Sequence, residues 1–491
     1  MTLDNGAEVI IGFEVHVELA TASKLFCPCD TTFGAPPNTH VCPVCLGYPG
    51  VLPELNRQAV RLAVRAGLGL DCRINETSRF DRKNYFYPDL PKGYQITQFH
   101  QPIAEWGHID IADGGDDKRI VIRRIHIEEE AGKLNHEGET LWSSTASLVD
   151  YNRAGIPLIE IVSEPDLRSP DEARAYLNQL RTILSYLDVS DLRMEEGSMR
   201  FDANISLRPP GFSGSLEDLP RVEVKNINSI RNAVRALEFE IGRQAELLDA
   251  EERVPRETRG FDERTGRTVS QRSKEQSDDY RYFPEPDLPP LILTGAWIQD
   301  QEKTLPLLPD QLKTKLETDG LTAQEAETIT SLPATVAYYD AARGAGAPVR
   351  PLVTWMLGDL ARLWNEHHTM PEASPVSPEG LAELLQLIES GTLSGRMAKE
   401  VLEAMYDERR SAKEIVAARG LTQIQDPSVL REHAERVVRE NPKVAEEVRQ
   451  GKDRALAFLV GQVMKATRGQ AKPDLVNQLL REVLAGDDAA T

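Results

Sequence analysis

No apolar run in this chain of 491 residues approaches the length needed to cross a bilayer. The first residues also lack the basic start and apolar core of a secretion signal, so a cytoplasmic protein with no membrane partner is expected. Cysteine is scarce. There are five, four of them clustered, which suits a reducing compartment with one metal site rather than a disulfide framework. Positive charge is short as well: 57 Lys and Arg stand against 78 Asp and Glu, a formal net charge of −21. Such a chain does not coat nucleic acid non-specifically, although a local basic surface can still bind it. There is no Walker-type phosphate loop, no G-x-G-x-x-G fingerprint and no G-x-S-x-G elbow. No Cys/His pair stands out as a nucleophile, because the clustered cysteines read as metal ligands.

What is present begins with Ile10-Ile11-Gly12-Phe13-Glu14-Val15-His16-Val17-Glu18-Leu19. Read as a strand, it puts Phe13, Val15, Val17 and Leu19 on one face and Glu14, His16 and Glu18 on the other. Carboxylate oxygen takes Mg²⁺ and imidazole ligates metals or moves protons, so the polar row suits a cleft. An edge strand with a solvated face is the plainer alternative. A second cluster, Arg123-Arg124-Ile125-His126-Ile127-Glu128-Glu129-Glu130-Ala131-Gly132-Lys133, alternates in the same way. It sets His126, Glu128 and Glu130 against Ile125, Ile127 and Glu129. An acid on an otherwise apolar face needs a partner, and a metal shared with Glu14 or His16 would supply one for Glu129. A solvated charge run is again the alternative.

Between these clusters lie Cys27-Pro28-Cys29, twelve further residues, and Cys42-Pro43-Val44-Cys45. Two close thiol pairs bridged by a loop are what a tetrahedral Zn²⁺ site requires, here a structural one because four ligands leave no open position. His40 is a possible substitute ligand, and the lone Cys72 reads as a buried small apolar residue. Arg82-Lys83-Asn84-Tyr85-Phe86-Tyr87-Pro88-Asp89-Leu90-Pro91-Lys92-Gly93-Tyr94 interleaves cations with rings, a composition that can hold a nucleotide or a single-stranded end. A partial echo, Asp279-Tyr280-Arg281-Tyr282-Phe283-Pro284-Glu285-Pro286-Asp287-Leu288-Pro289, suggests two loops facing one another across a cleft.

Strands and helices mix up to about Pro290, with helices predicted after the caps Ser169 and Ser229. From about Gln311 onward only helices are expected, starting at Ser377, Ser394 and Ser411 and stopping at Gly391, Gly420 and Gly451. Near the end Lys452, Arg454, Lys465, Arg468, Lys472 and Arg481 outweigh the local acids, a basic patch able to touch phosphates or else a solvated helix face.

Many carboxylates and histidines on strands, with cations and rings in loops, suit Mg²⁺-dependent phosphoryl transfer. The stretches at residues 11–19, 80–89, 126–133 and 279–287 resemble the B-subunit family of the tRNA-dependent amidotransferase, and the likeness runs from about Val9 to Leu484. Phe458–Lys465 with Pro473–Asn477 resembles that family's tail. The resemblance implies an α+β protein. Its expected parts are a glutamine-synthetase-like catalytic cradle with the four-cysteine zinc loop over residues 1–292, a helical domain over 293–406 and a tRNA-contacting helical tail over 407–491. It implies ATP and Mg²⁺ as cofactors, and phosphorylation of the side-chain carboxylate of Glu-tRNA(Gln) or Asp-tRNA(Asn), followed by amidation. The ammonia would come from a separate A subunit, an amidase, with a small C subunit completing a heterotrimer. The non-discriminating aminoacyl-tRNA synthetase is a further partner the resemblance implies.

Carried over by motif, Glu14, His16 and Glu129 form the Mg²⁺ group, with Glu128 as rival and all four as catalytic candidates. Arg82, Lys83, Lys133 and Arg153 are the phosphate candidates, and Lys465, Arg468 and Lys472 the tRNA contacts. Some members of the family lack the cysteines, in keeping with a structural role. Two competing readings are a non-catalytic zinc-containing tRNA-binding adaptor and a self-sufficient ATP-dependent ligase. The first leaves the carboxylate strands without a purpose, and the second lacks a glutaminase nucleophile.

Overall fold

In the computed structural model, the alternating stretch becomes β1 (Glu8–Glu18), a strand in the middle of a large sheet. The structure describes residues 2–113, 116–137, 146–273, 280–421, 423–424, 426–450, 452–467 and 469–486. The strands after β1 are β2 (Arg73–Ile74), β3 (Thr77–Asn84), β4 (Tyr94–Gln101), β5 (Ala104–Asp113), β6 (Asp116–Glu129), β7 (Lys133–Glu137) and β8 (Ala146–Asp150). They continue as β9 (Pro157–Ser163), β10 (Met199–Arg208), β11 (Val222–Ile227), β12 (Glu257–Asp262), β13 (Arg267–Ser273), β14 (Phe283–Pro284) and β15 (Leu291–Ile292). Among the described residues the main path of the sheet is β13-β12-β11-β10-β1-β9-β6-β4-β3-β14. β5 pairs with β6 and β2 with β5, β15 pairs with β3, and β7 and β8 form a separate ribbon.

The core face of β1 explains its position. Phe13, Val15 and Val17 are buried in one apolar cluster with α1 (Arg57–Gly69), α2 (Pro170–Tyr186) and α3 (Ile230–Asp249). Each helix starts where its sequence satisfies the first free N–H groups: Asn56, Ser169 and Ser229 all accept from backbone N–H groups of the first turn. The α2 stripe Ala173, Tyr176, Leu177, Leu180, Ile183 and Leu184 is buried, with Tyr176 stacked on Phe13 at 6.1 Å between centroids. β11 and β12 are parallel, and α3 supplies the crossover that parallel neighbours need. With helices on its apolar face, the sheet leaves its opposite face for the polar row. A short helix, α4 (Gly295–Glu302), also packs against this core through Trp297 and Ile298.

The chain divides into two units, Met1–Pro309 and Asp310–Thr491. A mixed, sheet-rich part is thus followed by a helical part, an α+β organisation. The helical part comprises α5 (Pro309–Thr318), α6 (Ala323–Thr330), α7 (Pro333–Gly344), α8 (Val349–Trp355), α9 (Ala361–Glu366) and α10 (Pro378–Glu389). It ends with α11 (Gly395–Glu408), α12 (Ala412–Arg419), α13 (Pro427–Glu440), α14 (Pro442–Arg449), α15 (Asp453–Ala466) and α16 (Pro473–Gly486). Ser377, Ser394 and Ser411 cap their helices, and Gly420 ends α12 with φ +61°. Gly451 lies outside the described residues. α13 to α16 share a core that includes Leu430, Val437, Leu459, Val463 and Leu480. Among the described residues no helix is long and apolar enough to cross a membrane.

Candidate active site

Residues paired across neighbouring strands project from the same face of a sheet. One rung therefore carries His126 on β6, Glu160 on β9, His16 on β1 and Arg200 on β10. Glu160 Oε2 lies 3.4 Å from Nε2 of both histidines. Glu128 closes the group, with Oε1 3.7 Å from His16 Nε2 and Oε2 3.6 Å from His126 Nε2. His16, Glu128 and Glu160 each offer one ligand atom within 4.8 Å of the others. Next to this triad Glu14 pairs with Asp202, and Glu223 on β11 completes a second triad of the same kind. Asn204 Nδ2 donates to Glu14 and Thr258 Oγ1 to Glu223, each at 3.1 Å.

So many acids in one row shift one another. Burial, reinforced by the charges of Glu160, Glu223 and Asp202, raises the Glu14 carboxyl above its ordinary range. Glu18 is pushed up to about 7, by burial first and then by the Glu130 charge. Burial alone would raise Glu160 too, but His126 and His16 hold it well below the usual carboxylate range. Glu128 is lowered against burial chiefly by the hydrogen bond from His126. Burial disfavours the charged form of His16, yet its hydrogen bond to Glu160 carries the imidazole above its ordinary value. Lys225 balances the second triad at 3.1 Å from Asp202 and 3.2 Å from Glu223, and Arg200 lies 2.5 Å from Glu130. Nδ1 of His16, Nδ1 of His126 and Oε1 of Glu18 are buried without a hydrogen-bond partner. Oxygen donors in excess, the His16 imidazole and unsatisfied polar atoms fit a hard divalent cation.

The structure brings Glu14, His16 and Glu128 together on this face, but it does not bring Glu129 there. Glu129 follows Ile125 and Ile127 to the other face, where Lys92 pairs with its carboxylate and the Ile96 N–H donates to it at 2.9 Å. It borders a cavity of about 250 Å³ lined also by Phe26, Cys45, Arg82, Lys92 and Tyr94. Lys83 is near the metal candidates, and the Glu128 charge raises its ammonium despite burial. Arg82 is committed elsewhere, with Nε and NH2 at 2.6 and 2.8 Å from the Glu285 carboxylate. Arg153 donates to the carbonyls of Ala131 and Gly132, and Lys133 is exposed on β7. The two echoing loops do not face each other across a cleft; they lie side by side, β14 pairing Phe283 with Arg82 on β3.

Sequence reasoning did not single out Glu160, Asp202 and Glu223 as members of this group. Each is a single acid on an otherwise apolar or mixed strand, and only cross-strand register gathers them. The interruption of the buried run Pro157–Ile159 by Glu160 was one available signal.

The Sγ atoms of Cys27, Cys29, Cys42 and Cys45 also lie within 4.8 Å of one another. Cys42 and Cys45 are 3.9 Å apart, and a tetrahedron of Zn–S bonds has edges of about 3.8 Å. The donor set therefore fits zinc. The hydrogen bond from Cys27 pulls the Cys45 thiol down to about 4, and the same bond pushes Cys27 up. Buried Lys24 stands 3.7 Å from Cys45 Sγ and donates to the carbonyls of His40 and Tyr151. The His40 imidazole is not part of the cluster. In the helical unit Lys465 and Lys472 are exposed, whereas Arg468 lies outside the described residues.

The family model described as the GatB/GatE catalytic domain matches residues 9–299, and that of the GatB domain matches residues 337–484. A Moorella thermoacetica protein, named as the B subunit of an aspartyl/glutamyl-tRNA(Asn/Gln) amidotransferase, is 52% identical over 478 residues, 97% of this chain and 99% of that protein. Proteins of the same name from Carboxydothermus hydrogenoformans and Brevibacillus brevis are 49% and 47% identical over 97% of this chain, which is 99% and 98% of their own lengths.

Proposed function

The chain belongs to the B-subunit family of the aspartyl/glutamyl-tRNA(Asn/Gln) amidotransferase, and from that premise we propose how its polar sheet face serves the reaction. It is one component of an ATP-dependent, glutamine-hydrolysing ligase of protein synthesis. The substrates are Glu-tRNA(Gln) and Asp-tRNA(Asn). Their side-chain carboxylate oxygen takes the terminal phosphoryl group of ATP, ADP leaves, and ammonia then displaces phosphate from the carbonyl carbon. Ammonia comes from a separate amidase, the A subunit, since no glutaminase nucleophile stands out in this sequence. A small C subunit is the third member of the complex.

The observation that carries the reading is the double triad of His16, Glu128, Glu160 and Glu14, Asp202, Glu223. Mg²⁺ held there supplies charge neutralisation to phosphate oxygens. The protein's own part is to hold the acids close together against their repulsion. Lys83, Arg200 and Lys225 provide the opposing charge, and the helices behind the sheet keep β1, β9 and β10 in register. The zinc-fitting cysteines act structurally, tying residues 27–45 into a fixed loop. The helical tail from residue 407, with Lys465 and Lys472, holds tRNA by its phosphates. An adaptor without chemistry would leave the double triad unexplained.

The test is ATP hydrolysis by the assembled enzyme with mischarged tRNA. Consumption of ATP that requires Glu-tRNA(Gln) or Asp-tRNA(Asn), and is lost in His16→Ala, is expected. ATP turnover indifferent to the tRNA, or to that substitution, would overturn the assignment.

A further inference from the structure

Behind the sheet, beneath its β11–β13 end, lies a closed group of charges that packing alone does not explain. Glu240 on α3 is fully buried. Arg243 NH2 donates to its Oε1 at 2.6 Å and Gln244 Nε2 to the same oxygen at 2.9 Å, while Thr268 Oγ1 donates to Oε2 at 2.9 Å. Arg259 Nε donates to Thr268 Oγ1 at 2.8 Å and stands 3.4 Å from Glu240 Oε2, and its NH1 reaches Glu257 Oε1 at 2.7 Å. Arg243 NH2 closes the group, 3.4 Å from the same Glu257 oxygen. Two acids and two guanidinium groups thus neutralise one another between α3, β12 and β13. Apolar replacements for buried ion pairs are often at least as stable, so the network points to a need for one arrangement rather than for stability.

The arrangement at stake is strand register. β12 pairs in parallel with β11, which sets Thr258 beside Glu223 and Arg259 beside Val224. Alternation then sends Glu257 and Arg259 to the helix side and Thr258 to the polar side, where its Oγ1 donates to Glu223 Oε2 at 3.1 Å. Lys225 holds the other Glu223 oxygen at 3.2 Å. A slip of one residue would exchange the faces, bringing a glutamate or an arginine beside Glu223 and removing the hydroxyl. Backbone pairing guards weakly against such a slip. The β11–β12 ladder is short, and the β12–β13 ladder shifts register between Thr258 and Arg259. Side chains that tie α3 to both strands supply the missing constraint.

We propose that Glu240 is a positioning residue: from behind the sheet, its ionic network fixes the register of β12 so that Thr258 orients Glu223 within the second acid triad. The inference rests on the reading of that triad as a Mg²⁺ site. Glu240 touches neither the cation nor a substrate, and its effect passes through the Thr258 hydroxyl. Cation affinity at one face of the sheet therefore depends on a carboxylate buried on the other.

The experiment titrates the assembled enzyme calorimetrically with Mg²⁺, well below its melting temperature. Wild type is compared with Glu223→Gln, Thr258→Val, Glu240→Gln and the double variant of the last two. Circular dichroism checks that each is folded. Thr268→Val, which cuts Glu240 from β13, takes the place of Glu240→Gln if that variant does not fold. Thr258→Val keeps the branched shape and removes a hydrogen bond to a carboxylate, so the Kd for Mg²⁺ is expected to rise roughly ten-fold. Glu240→Gln is expected to raise it by a similar factor, and the double variant to bind no more weakly than Thr258→Val alone. A network that only stabilised the fold would lower the melting temperature and leave Mg²⁺ affinity unchanged. That result in Glu240→Gln, or effects of the two substitutions that multiply in the double variant, would overturn the proposal. Unchanged Mg²⁺ affinity in Glu223→Gln would instead overturn the reading of the second triad on which it rests.

Discussion

Glu128 and Glu129 are neighbours in the chain with opposite surroundings. Glu128 shares its oxygens among His16, His126 and Thr97 on the polar face. Glu129 is enclosed on the other side with Lys92 and the Ile96 N–H. Glu128→Gln keeps the shape and removes a charge that a cation needs. ATP-dependent activation should therefore fall by orders of magnitude while basal glutamine hydrolysis by the complex persists. Glu14→Gln should behave alike, and calorimetric titration with Mg²⁺ should register weakened binding in both. Glu129→Gln should act through stability instead. It leaves the buried Lys92 ammonium without its counter-charge, a loss of roughly 3–5 kcal/mol that thermal melting would register. Unchanged melting together with lost Mg²⁺ binding in Glu129→Gln would return that residue to the metal group.

At the scale of elements, the cysteine loop and the start of α6 make separate predictions. Purified enzyme should hold one zinc ion per chain at Cys27, Cys29, Cys42 and Cys45, and Cys42→Ser should release it and lower the melting temperature of the sheet-rich unit. Metal analysis is the check, and absence of zinc from protein prepared without chelators would refute the assignment. Glu325 closes a capping box on Thr322 and bonds Arg350 at 2.7 and 2.9 Å. The Arg350 hydrogen bond first, and then the Thr322 N–H, hold its carboxyl at about 2, below the ordinary value of 4.5. A lowered carboxyl contributes stability that is present above the ordinary value and lost as pH falls through the folded one. The stability difference between wild type and Glu325→Gln should therefore be full above pH 4.5 and vanish near pH 2, followed by denaturant melts across that window.

At the scale of the molecule, α12 ends at Gly420 and the last four helices have a core of their own. Removal of residues 421–491 should therefore leave ATP binding intact and raise KM for aminoacyl-tRNA. Lys465→Ala with Lys472→Ala should flatten the salt dependence of tRNA binding by roughly one unit per lost phosphate contact. Unchanged KM and salt slope would make the basic residues a solvated face. What the sequence determined alone were features that act over a few residues. The alternation of β1, the Ser169-Pro170 start of α2, the sulfur pairs and the switch from strands to helices are all local, and each was readable. Cross-strand partnership is not local. Only the tertiary structure decided that Glu160, Asp202 and Glu223 join Glu14 and His16, because those acids come from strands distant in the chain. The same holds for Glu129. In a sheet a shift of one residue changes the face, so the choice between it and Glu128 depended on register and on a buried lysine that no motif connects to it.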